Sequence, residues 1–167
     1  MGGSVPDKLI IDVMQSVIKR TQAYFEGSFG ISVDTMETSH ISPESFPLLD
    51  MTVLMGFNGG VNLMVVFSFE NALIDILYER MTQDLDIPDD ETPFYREAAG
   101  GEIVNTILGH CTIDLQNLDR RGISLTPPSI LDQAKSIRRT KNALLYTEHL
   151  QTLHGFLNIG LVGKNAS

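Results

Sequence analysis

The sequence predicts an α+β domain, an antiparallel β-sheet with helices packed on one face. Three observations carry that prediction. Apolar residues recur at helical spacing over residues 7–25 and again over 94–117. Two β-rich runs, Met51 to Phe57 and Val61 to Phe69, flank Asn58-Gly59-Gly60, a hairpin signal because Asn-Gly accepts the positive φ of tight turns. The last third of the chain holds three further strand-like runs, with His154-Gly155 turning between the final two.

In chain order, the first helix follows from Leu9, Ile10, Val13, Met14, Val17, Ile18, Thr21 and Phe25 at three- and four-residue spacing. Asp7 after Pro6 is its expected N-cap, and Gly27 lies near its end. Residues 1–6 are read as a disordered tail or an expression remnant, and 7–163 as one domain. Ile31 to Met36 is a candidate first strand, and Thr38 to Leu49, with Pro43, Pro47 and several Ser, reads as a loop. After the hairpin, Glu70 to Met81 puts Ala72, Leu73, Ile76, Leu77 and Met81 on one helical face. Asp84 to Pro93 is acidic, holds two prolines and reads as a connection to a third helix, Phe94 to Asn117. Beyond Pro127-Pro128 the runs 136–140, 144–152 and 156–162 are the expected closing strands.

At 167 residues the chain is long enough for one domain with a sizeable core, and its apolar fraction of 43% argues against global disorder. A formal charge of −9 argues against nucleic acid, whose phosphates demand clustered Lys and Arg. Arg120-Arg121 and Arg138-Arg139 are only pairs, and a solvated or ion-paired surface explains them. Cys111 is the only cysteine, which excludes an internal disulfide and fits a reducing cytoplasm. No apolar run is long enough to span a bilayer, and the N-terminus lacks the basic-then-apolar order of a signal peptide. Pro6 stands where an N-myristoylation motif needs Ser or Thr, and Asn165-Ala166-Ser167 fits a glycosylation sequon by spelling alone. The reading is therefore a cytoplasmic protein without membrane insertion.

The chemistry concentrates in the third helix. On an ideal helix at about 100° per residue, Ile103, Val104, Ile107, Leu108 and Cys111 fall on one side, toward the core. Ala98, Glu102, Asn105 and Gly109 fall within roughly 60° of one another on the opposite side. A carboxylate and a carboxamide are thus neighbours on an outward stripe, with almost no side chain above or below them. Each Gly in a helix costs about 1 kcal/mol relative to Ala. Close approach by a partner surface is one reason for such bareness, and packing against a neighbouring helix is the other.

The remaining candidates are weaker. His40, His110, His149 and His154 are scattered, and none pairs with another at metal-ligand spacing. His110 and Asp114 stand four apart, which fits a surface hydrogen bond better than a ligand pair. Cys111 on the core face reads as a small hydrophobe. The run from Asp84 places Asp89 where a calcium loop needs Gly, and Tyr95 where it needs Glu. Gly59-Gly60 lacks the Lys of a phosphate-binding loop and sits in a hairpin.

The segment Glu97-Ala98-Ala99-Gly100-Gly101-Glu102-Ile103-Val104-Asn105-Thr106-Ile107-Leu108-Gly109 resembles the signature helix of the CheC/CheX/FliY phosphatases of bacterial chemotaxis. That signature joins an acid and an Asn one turn apart to a later proline, and here 22 residues separate Asn105 from Pro128. Ser124-Leu125-Thr126-Pro127-Pro128-Ser129-Ile130 is similar to the family's prolyl strand entry, and the likeness extends over residues 7–163 as a CheX-like layout. The resemblance implies hydrolysis of an aspartyl phosphate on a response-regulator receiver domain, CheY in that family. It implies that Glu102 holds the receiver's lysine, that Asn105 orients a water, and that Ala98, Gly101, Gly109 and Pro128 lie against the partner. The chain needs no cofactor of its own in that scheme, since the Mg²⁺ belongs to the receiver.

Two departures stand out. The family often has Asp or Ser where this chain has Ala98, which removes an auxiliary polar contact. CheC-type members carry a second acid/Asn site, whereas the first helix here offers only Asp12-Val13-Met14-Gln15, with Thr38 where the proline belongs. The chain therefore reads as a single-site member. A non-catalytic binding module for a receiver or a flagellar-switch partner is the alternative function, and a purely structural domain is the third. Relatives dimerise through their sheets, so a homodimer is a further expectation.

Overall fold

The computed structural model describes residues 4–36, 45–118, 122–132, 136–138 and 143–164. His40, Arg120, Arg121, Arg139 and the Asn165 sequon, all singled out above, lie outside these residues. Among the described residues there are three α-helices, α1 (Ser4–Tyr24), α2 (Asn71–Thr82) and α3 (Thr92–Leu115). The strands are β1 (Asp34–Thr35), β2 (Ser45–Pro47), β3 (Met51–Gly59), β4 (Leu63–Phe69), β5 (Ile123–Leu125), β6 (Ser129–Asp132), β7 (Ser136–Arg138), β8 (Ala143–Thr152) and β9 (Gly155–Lys164).

Seven strands form one sheet in the order β1-β8-β9-β4-β3-β5, with β6 also paired to β3, and β2 and β7 form a separate ribbon. Every ladder is antiparallel. Alternation along the strands sends Met51, Val53, Met55 and Phe57 of β3 into one core with Leu63, Val65, Phe67 and Phe69 of β4 and Leu157, Ile159 and Leu161 of β9. The helices fill the other side of that core through Ile10, Val13, Met14 and Val17 of α1, Leu73, Ile74 and Leu77 of α2, and Ile103, Val104, Ile107, Leu108 and Cys111 of α3. The fold is the α+β arrangement the sequence predicts. Val66 faces away from the helices, in a small second cluster with Leu48, Leu54, Met64 and Val162.

Several elements differ in detail from the sequence reading. The first helix starts at Ser4 rather than residue 7, so Asp7 lies inside it and is no N-cap. Pro6 is tolerated there because first-turn N–H groups have no helical partner. The helix continues as a π-turn over Phe25–Phe29 and stops at Gly30, whose φ of 66° is left-handed. On α2 the third buried position is Ile74, and Ala72 is exposed. Asn58 and Gly59 belong to β3 instead of the turn, because they pair with Ser124 and Ile123 of β5. Gly59 takes φ 104°, and a Cβ there would meet the Gly122 carbonyl oxygen.

The largest difference is at the edge. The residue pattern predicts no strand on either side of Pro127-Pro128, where only the family resemblance marks a prolyl strand entry, yet β5 and β6 both pair with β3, one on each side of Thr126-Pro127-Pro128. Prolines cannot donate to a ladder, so the strand breaks there and sits at the sheet edge. Thr126 bridges the break: its N–H donates to the Gly56 carbonyl at 2.9 Å, and Gly56 N–H donates to its Oγ1 at 2.7 Å. Among the described residues no helix is long and apolar enough to cross a membrane.

Candidate functional site

Helix α3 is buried along one face and open along the other. Ile103, Val104, Ile107, Leu108 and Cys111 have no exposed surface, while Ala98, Glu102 and Asn105 are exposed and Gly109 is half-exposed. The two halves match the sequence-based projection. What the projection cannot supply is the neighbour across from the exposed face, and that is the prolyl edge of the sheet. Phe94, Glu97, Ala98, Gly101, Glu102, Asn105, Pro128 and Ile130 line one groove of about 390 Å³.

Five of the residues chosen from sequence therefore meet in one place: Glu102, Asn105, Ala98, Gly101 and Pro128. Gly109 lies beyond the groove's lining, further along the same stripe. Phe94, Glu97 and Ile130 were not chosen. Phe94 was legible, because it stands one turn before Ala98 on the same face. Ile130 was not, since its place follows from the pairing of β6 with Val53 on β3.

Gly101 explains how the helix and the prolyl segment come together. It is buried, and a Cβ added there would lie 3.3 Å from Pro128 Cγ and 3.8 Å from Ile130 Cδ1. The missing side chain lets the proline ring sit against the helix. Gly100 serves the core in the same way, where a Cβ would fall 2.9 Å from Met51 Sδ. Packing within the chain thus accounts for Gly100 and Gly101. It does not account for Gly109, where a Cβ would meet nothing within 4 Å.

The groove carries two carboxylates, Glu97 and Glu102, and no cation among its lining residues. Arg96 is the nearest guanidinium in sequence, but α2 holds it through Asp75 Oδ1 and Asn71 Oδ1, each at 2.7 Å. Thr106 Oγ1 donates to Glu102 Oε1 at 3.4 Å, a long bond that leaves the carboxylate free to take a stronger donor. Asn105 offers both an acceptor and two donors to the groove. Together the pair suits a cation and a water brought by a partner.

The other sequence candidates have structural roles. Asp114 does not pair with His110, which is exposed. Its carboxylate accepts from Ser16 Oγ at 2.8 Å and from Arg20 Nε at 2.9 Å, joining α3 to α1. Burial pushes the Cys111 thiol up to about 12, against a smaller opposing pull from Ser16, so it stays neutral and packs as an apolar group. Asp12 is half-buried and Gln15 exposed on α1, and neither lines the groove that holds Glu102 and Asn105. Among the described residues no group of three or more His, Cys, Asp or Glu is placed to hold a metal ion.

A family model described as chemotaxis phosphatase CheX matches residues 51–147, a span that contains Glu102, Asn105 and Pro128. The chain belongs to the CheX family. No curated protein matches the sequence. Among solved structures, the CheX fold of this chain is similar to a chemotaxis protein CheX from Desulfovibrio desulfuricans, with a TM-score of 0.76 and 17% identity, covering 89% of this chain and 97% of that one. It is also similar to a CheX-CheY-BeF3-Mg2+ complex from Borrelia burgdorferi, with a TM-score of 0.66 and 13% identity over 91% of this chain and 98% of that chain. Thermotoga maritima FliY matches with a TM-score of 0.62 and 12% identity, covering 98% of this chain and 92% of that chain. At these identities the likeness to each is one of fold.

Proposed function

We propose that this CheX-family chain hydrolyses the aspartyl phosphate of a response-regulator receiver domain, and that Glu102 and Asn105 are the residues that act. The observation that carries the reading is the groove itself, which sets an exposed carboxylate and an exposed carboxamide one helical turn apart against Pro128. Membership of a family described as chemotaxis phosphatases supports the activity, and the CheY bound in the Borrelia burgdorferi complex supports the class of partner.

An acyl phosphate is already reactive, so a catalyst gains most by placing water and fixing its approach. The Asn105 amide suits that work because it accepts from and donates to water without titrating. Its oxygen takes one water hydrogen and aims the water's lone pair at phosphorus, and the aspartyl carboxylate leaves as the P–O bond breaks. Glu102 accepts a charge-assisted hydrogen bond from the receiver's lysine, which fixes the helix over the phosphorylated side chain. The receiver supplies lysine, magnesium and phosphate; this chain supplies the amide and the fit.

The test is the rate of phosphate loss from phosphorylated receivers of the same organism. Asn105→Ala is expected to abolish the stimulated rate, by about 100-fold or more, while circular dichroism and the melting transition stay as in the wild type. Full stimulation by the variant would sink the assignment. Ala98, in place of a polar residue, favours a second reading as a non-catalytic binding module. Phosphorylation-dependent binding with an unchanged phosphate lifetime is the outcome that selects it.

A further inference from the structure

We propose that Phe94 is the apolar anchor that seats the receiver beside Glu102 and Asn105, so that the receiver presents apolar side chains about 12 Å from its lysine; this rests on the receiver-directed reading above. Phe94 is 71% exposed although it opens a helix whose inner face is fully packed. It lines the same groove as Glu102 and Asn105. Two turns of α3, about 12 Å along the axis, separate it from Glu102. An unburied phenyl ring forgoes about 1.5–3 kcal/mol of transfer free energy, which only an external surface can recover here.

The ring is also held ready. Tyr95 meets it edge to face, with centroids 5.5 Å apart and planes at 86°. Ala98 stands between Phe94 and Glu102 on the exposed face, so no side chain screens the flank of the ring from the acid. The groove therefore runs from apolar surface at Phe94 and Ala98, with the Glu97 carboxylate beside them, to the Glu102 carboxylate. Its complement is a surface carrying a cation at one end and apolar groups about 12 Å away. A second copy of this chain docked groove to groove would bring the same two carboxylates into contact, and like charges oppose that pairing. A receiver's lysine satisfies the charge, and the apolar neighbours it must carry are what Phe94 adds to the recognition.

Phe94→Ala and Phe94→Leu in the full chain test this, with stimulated phosphate loss followed across a range of phosphatase concentrations. Phe94→Ala is expected to raise the half-saturating concentration about tenfold, with the saturating rate within about twofold of wild type. Phe94→Leu keeps an apolar contact and should recover most of the affinity. Asn105→Ala supplies the opposite pattern, a lost saturating rate with binding to the phosphorylated receiver retained. An unchanged half-saturation for Phe94→Ala overturns the anchor and leaves the phosphatase reading standing, as does a loss confined to self-association. If the wild-type chain stimulates no receiver, the phosphatase reading falls instead. Binding isotherms on the phosphorylated receivers then decide the anchor alone: tenfold weakening by Phe94→Ala supports it, and equal affinity or no binding by either protein overturns it.

Discussion

Gly100 and Gly109 lie on the same helix, and the same substitution should act in opposite directions at the two positions. A Cβ at Gly100 would fall 2.9 Å from Met51 Sδ, and Met51 is 2% exposed, so its thioether would have to shift within a packed core. Overpacking of that kind costs about 1–3 kcal/mol, more than the gain in helix propensity of about 1 kcal/mol. At Gly109 no atom lies within 4 Å of the new methyl group, so only the propensity gain remains. Gly100→Ala is expected to lower the urea midpoint and Gly109→Ala to raise it, the latter by a stabilisation of up to about 1 kcal/mol. A stabilising Gly100→Ala or a destabilising Gly109→Ala would contradict this reading of the helix. If the second substitution stabilises the fold yet weakens receiver binding, the bareness at Gly109 belongs to the interface. Sequence separates these glycines only as opposite faces of one helix, Gly109 on the outward stripe and Gly100 toward the core; the Met51 contact that decides the sign at Gly100 comes from the fold.

Between elements, the Asp114 network ties α3 to α1 and gives stability a pH dependence of known sign. Hydrogen bonding to Arg20 holds the Asp114 carboxyl down to about 2, against a weaker opposing effect of burial and with Ser16 adding to the pull. An unfolded aspartate titrates near 3.9. The folded state therefore binds fewer protons between these values, and the stabilisation is complete above about pH 4 and lost as the pH falls toward 2. Urea midpoints measured from pH 5 to pH 2 should fall less steeply for Asp114→Asn than for the wild type; identical slopes would show that the pair contributes nothing. Elements of this kind were legible from sequence where one face is continuously apolar, as in α3 with Ile103, Val104, Ile107, Leu108 and Cys111. They were illegible where a segment takes its form from a neighbour. The three-residue β5 and four-residue β6 exist because β3 offers them a ladder, and their own sequence is broken by prolines. The ribbon strand β2 ends in Pro47 and likewise reads as loop until β7 pairs with it.

For the molecule as a whole, the groove is a joint between two layers, one wall from α3 and the other from the prolyl edge of the sheet. Sequence spacing connects Asn105 to Pro128 only as a pattern; the fold supplies the reason, which is that Pro128 rides on Gly101 while Thr126 fastens the segment to β3. The side chains on α3 were readable because a helix repeats, whereas the opposite wall depends on long-range pairing. Thr126→Val tests whether that fastening matters to the site. It removes the Oγ1 that accepts from Gly56 N–H at 2.7 Å and keeps the shape of the side chain. Leaving that donor without its partner costs about 1–3 kcal/mol, so the urea midpoint should fall. The saturating rate of receiver dephosphorylation should fall several-fold as well, because small displacements of a positioning wall are expensive in catalysis. Phe94 and the acid/amide pair are untouched by the change, so a drop in rate at temperatures where the variant is fully folded would come from the wall. An unaltered rate beside the lost stability would mean that Glu102 and Asn105 act from the helix alone, with Pro128 serving only to close the sheet edge.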